Sequence, residues 1–86
     1  MKKVFRGIRK DAPKEYIEKG ITNGPDKPDY EGIIFEDGTV ALRWLTKSHS
    51  LSFFPSFEMF YDIHGHPEYG TVIEWLLDWG VWQYGN

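Results

Sequence analysis

The chain has no cysteine. That excludes a disulfide framework and any thiolate-ligated zinc site, and it fits a reducing cytosol better than a secreted mini-protein stapled by bridges. Long hydrophobic runs are missing as well. No stretch approaches the ~18 consecutive apolar residues of a membrane span, and the opening MKKVFRGIRK is basic without the apolar segment of a secretory signal. A soluble cytoplasmic protein with no membrane partner is expected. Positive charge is also not in excess. The 10 basic and 13 acidic side chains leave a formal charge of −3, which argues against generic nucleic-acid binding by phosphate neutralisation. Several short catalytic patterns are absent: a phosphate-cradling glycine loop, a His-Glu-x-x-His helix, a nucleophile elbow and the spacing of a Ser, His and acid triad. No cofactor is implied, and no residue is assigned a catalytic role.

What the sequence does hold is aromatic. Phe, Tyr and Trp make up 17% of its 86 residues, so one small domain built around large rings is expected, with no room for a separate catalytic module. Five of the ten basic residues fall in the first ten positions. They read as a charged arm that aids solubility or touches an acidic partner. DAPKEYIEKG then offers Asp11 as a cap, Pro13 near a first turn and Gly20 as a stop, predicting a short helix over 13–19. TNGPDKPD, residues 22–29, reads as a loop. Residues 1–30 are thus expected to form an irregular N-terminal arm with a possible short helix.

The clearest signal is YEGIIFEDGTVALRWL. Two β-rich runs flank Asp37-Gly38, a dipeptide suited to a tight hairpin turn, and predict strands at 31–36 and 39–45. In the second, Val40, Leu42 and Trp44 alternate with Ala41 and Arg43, so the first set turns inward and Arg43 faces the other way. SLSFF, residues 50–54, predicts a third strand. PSFEMFYDIHG predicts a helix over 55–64, with Phe57, Phe60, Tyr61 and His64 on one face and Gly65 as a left-handed stop. TVIEWLL, residues 71–77, reads as a last strand. The expected class is α+β: a single domain over 1–86, with a small antiparallel ββ(β)αβ sheet over 31–77 covered by one short helix, and an aromatic tail over 78–86.

Three clusters are candidates for function. RWLTKSHS places Arg43, Trp44, Lys47, Ser48, His49 and Ser50 at a strand end and turn, offering a guanidinium fork, an indole plane and hydroxyls to a phosphate or nucleobase. DIHGHPEY places Asp62, His64 and His66 at alternate positions. An extended backbone would point them together as a metal-ligand set, whereas a helix puts Asp62 and His64 about 200° apart and makes the stretch a cap and turn. In the tail, Trp75, Trp79, Trp82 and Tyr84 are expected at an interface, giving a symmetric homodimer, the alternative being a tail folded back across its own sheet as an extra strand or helix in a monomer.

GIIFEDGTVALRWLT and HGHPEYGTVIEWL resemble a family of small proteins encoded by bacteria and their phages. The shared pattern is a hydrophobic strand, Asp-Gly-Thr-Val-Ala, Arg-Trp, a short helix and His-Gly-His, over about residues 31–77. The resemblance implies the ββ(β)αβ core and a phage accessory setting in the host cytoplasm, and it supplies no catalytic residues. Phages use proteins of this size to block or sequester host factors. The expected function is therefore a non-catalytic binding protein, an anti-defence factor that sequesters a nucleotide-type signalling ligand or masks a host protein. Its ligand contacts would be Arg43, Trp44, Ser48, His49, Ser50, His64 and His66. The alternative is a small metal-dependent hydrolase using Asp62, His64 and His66.

Overall fold

The computed structural model describes residues 3–78. In chain order these form β1 (Lys3–Arg9), α1 (Lys14–Glu18), β2 (Tyr30–Ile34), β3 (Val40–Trp44), β4 (Leu51–Phe54), α2 (Phe57–His64), a 3-10 turn (Pro67–Tyr69) and β5 (Thr71–Asp78). The strands make one antiparallel sheet in the order β4-β3-β2-β1-β5. The fold class is α+β, as the residue patterns indicate.

Local chemistry accounts for the β2–β3 hairpin. Gly38 adopts φ 90°, where an added Cβ would be strained. Asp37 Oδ1 accepts from the Thr39 amide at 3.0 Å and from its hydroxyl at 2.7 Å, pinning the turn. From there Ile34 pairs with Val40 and Tyr30 with Trp44.

One expectation is corrected. Residues 3–9 are not part of an irregular arm: they form β1, paired on one side with β2 and on the other with β5. The basic residues hid a period-2 pattern in which Phe5, Gly7 and Arg9 turn towards α2. Phe5 is fully buried. Two glycines let large rings lie flat across neighbouring strands: a Cβ on Gly7 would collide with the Tyr30 ring, and one on Gly32 with the Phe5 ring.

α2 closes this face. Ser56 caps it by accepting from the Met59 amide at 3.1 Å, and Glu58 complements the positive end of the helix dipole. Phe60 then joins Phe5, Tyr30, Val40 and Leu42 in the buried core, with Phe54, Phe57 and Trp44 packed around it. The stop differs from expectation, because Gly65 stays right-handed at φ −63° and the left-handed residue is His66, at φ 43°. The opposite face of the sheet bears Val4, Ile33, Ala41, Arg43, Leu51 and Phe53. Among the described residues, no helix is long and apolar enough to cross a membrane.

Candidate functional site

Arg9 ends β1 on the α2 side, two alternations beyond Phe5, and only 5% of it is exposed. A buried guanidinium demands partners, and several elements supply them. Asp29, just before β2, brings Oδ2 to 3.4 Å from Nε. Nη1 donates to the Gly65 carbonyl at 2.9 Å and to Thr71 Oγ1 at 2.6 Å. The guanidinium carbon lies 5.5 Å from the Tyr30 ring centre and 6.0 Å from that of Tyr69. The buried Tyr30 hydroxyl has no hydrogen-bond partner among the described residues.

Arg9 and Asp29 form the floor of a cleft of about 220 Å³. Trp44, Tyr16 and Tyr69 supply aromatic lining, and His64, His66, Ile21 and Thr22 complete it. Sequence-distant segments meet here because Asp29 also accepts from the Asn23 amide at 2.8 Å, which ties the 22–29 loop to the floor. Tyr16 meets Tyr69 edge-on at 6.0 Å. The volume lies below the 300–1,000 Å³ usual for small-molecule sites.

The two histidines have different surroundings. His64 packs between Trp44 and Phe54, with ring centres 5.0 and 5.5 Å away. Its pKa falls below the ordinary value, first through burial and then through the positive fields of His66 and Arg9. His66 stacks on Tyr69 at 5.0 Å and places Nδ1 3.0 Å from Glu68 Oε2. That hydrogen bond is the main cause holding the Glu68 carboxyl below its usual range. Burial, and then Tyr16, raise the Tyr69 hydroxyl. Thr71 Oγ1 accepts from Arg9 and donates to the His66 carbonyl at 2.9 Å, linking the cation to the left-handed turn.

The structure divides the residues singled out in the sequence. Trp44, His64 and His66 come together in the cleft. Arg43 lies on the opposite face of the sheet, in register with Glu31 and Leu51. Ser48, His49 and Ser50 are exposed in the β3–β4 turn, where His49 adopts φ 48°. Asp62 is exposed on α2 and does not join the histidines: among the described residues, no three His, Asp or Glu groups gather as a metal-ligand set. That corrects the Asp62, His64 and His66 triad of the hydrolase alternative, since the helical turn between Asp62 and His64 sends them to different sides. Trp75 packs on Phe5 and Phe57 at 5.5 and 5.2 Å while remaining 54% exposed. Trp79, Trp82 and Tyr84 lie outside the described residues.

Sequence reasoning missed Arg9, Tyr16, Thr22, Asp29 and Tyr69. The available signal was the alternation Phe5, Gly7, Arg9, which marks a strand with a cation at its inward end. No curated protein and no solved structure matches the chain. A family model does match residues 30–77, from β2 through most of β5 and including Trp44, His64, His66 and Tyr69. With more than half of its length so matched, the chain belongs to the Acb5 phage protein family.

Proposed function

We propose that this phage accessory protein is an anti-defence factor that binds a nucleotide-type signalling ligand in the Arg9 cleft and withholds it from its host receptor. The observation supporting this is the cleft floor. A buried guanidinium is bounded by Trp44, Tyr16 and Tyr69. A guanidinium fork suits a phosphate, and an indole or phenol face suits a base or sugar. Calorimetric titration with cyclic dinucleotides and ADP-ribose derivatives tests it. Saturable binding by the wild type, reduced at least tenfold in Trp44→Ala, with ligand recovered at unchanged mass, is the expected result. No binding by any of these probes would count against it.

A second reading is supported by the difference between the histidines. His64 has a depressed pKa, and His66 is oriented by Glu68, both beside Arg9. Such a pair supports cleavage of a ribose phosphodiester without a metal. The ribose 2′-hydroxyl would lose its proton to His64 as its oxygen attacks phosphorus. The bond to the leaving oxygen breaks, that oxygen takes a proton from His66, and a 2′,3′-cyclic phosphate remains. Mass spectrometry of the ligand after incubation separates the readings: an unchanged mass means sequestration, and a linear product lost in His64→Gln means cleavage.

A further inference from the structure

β4 is the terminal strand of the sheet and pairs only with β3 among the described residues. The Trp44 amide donates to the Ser50 carbonyl at 2.8 Å. In an antiparallel ladder the backbone groups of successive residues point alternately to the two sides, so those of Ser50 and Ser52 meet β3 while those of Leu51 and Phe53 point away from it. The same two residues hold side chains 68% and 74% exposed. Natural edge strands are blunted by shortness, a charge, a bulge or a proline. β4 is short and stops at Pro55, but Leu-Ser-Phe-Phe has no charge, bulge or proline within it. The other edge strand, β5, contains Glu74 and Asp78 and meets β1 through a register shift at Val4/Phe5.

We propose that this edge pairs with the β4 strand of a second copy, antiparallel about a two-fold axis at Ser52. The strand's own symmetry selects that occupant. With Ser52 opposite Ser52, Leu51 of each copy lies opposite Phe53 of the other. Their outward amides and carbonyls then fall in register, and the four apolar side chains form one stripe on the open face. Charge agrees with this register. Each copy carries an exposed Lys47 in the turn before β4 and an exposed Glu58 in the helix after it, so an antiparallel pairing sets the basic end of one strand towards the acidic end of the other. The two sheets become one continuous sheet. Two large side chains and one short strand per copy fall below the ~800 Å² per partner of a standard interface, so the pairing is weak and concentration-dependent.

Sedimentation of the full chain over micromolar to millimolar concentration tests this. The mass should rise from 10.1 kDa towards twice that value. Phe53→Lys should hold it at 10.1 kDa with an unchanged melting temperature, as suits so exposed a residue. Register is tested separately, because the chain has no cysteine of its own. A mixture of Leu51→Cys and Phe53→Cys should form an inter-chain disulfide on mild oxidation, and neither variant alone should do so comparably. Three outcomes overturn the proposal: a mass fixed at 10.1 kDa throughout, a dimer that persists in Phe53→Lys, or equal cross-linking by each variant alone. The first includes the case in which the edge is kept for a host polypeptide.

Discussion

Arg9 donates through Nη1 to the backbone carbonyl of Gly65, 56 residues away, and so fastens the end of β1 to the end of α2. The bond explains why a cation lies inside so small a domain: it closes the helix terminus and shapes the cleft at once.

Breaking that arrangement on one side should be costly. Arg9→Met leaves Asp29 buried without its counter-charge, and losses of this kind run to about 3–5 kcal/mol. Urea unfolding should show a loss of that size. Replacing both partners by apolar residues should recover much of it, whereas recovery of ligand binding is not expected.

Gly7→Ala and Gly32→Ala should each destabilise the fold by about 1–3 kcal/mol, the usual cost of forcing extra volume into a packed core. The Tyr30 and Phe5 rings must leave their positions over the strands. Loss of near-ultraviolet circular dichroism before loss of the far-ultraviolet signal would show those rings loosening first.

Ser56→Ala removes the acceptor for the Met59 amide and should cost about 1 kcal/mol. Ser56→Asp should restore it, which thermal melts of the two variants can check.

The pH dependence has a definite sign. His64 is depressed from 6.5, so the folded state binds its proton less readily than the unfolded state does. Its contribution to stability is complete above 6.5 and is lost as pH falls through the lower folded value. Melting temperatures between pH 8 and 5 should decline on the acid side, and His64→Gln should flatten that decline.

How much of this was legible follows from where the causes lie. The Asp37-Gly38 turn and the Phe57, Phe60, Tyr61 spacing are local, and both gave the elements they indicate. β1 was hidden because Lys3, Arg6 and Lys10 made a strand look like a solvated arm, and its inward pattern has meaning only beside β2 and β5. The inward set of β3 was readable, and Arg43 was rightly placed on the other face. Which face would hold a cleft was not readable. That depends on where α2, the 22–29 loop and the 3-10 turn converge, a tertiary relation that no spacing records. The alternation of Asp62, His64 and His66 was real in sequence, but the helix sends Asp62 away from the cleft.

The pairing of Lys3 with Asp78 has a consequence for biosynthesis. In the finished sheet β1 is flanked by β2 and by β5, which follows it by more than sixty residues, so one side of β1 must wait until residues 71–78 have left the ribosome. Folding dominated by such distant partners is slow for a domain of this size. The nascent protein therefore joins β1 to β5 only after these residues emerge, and until then the β5-facing edge of β1 is open.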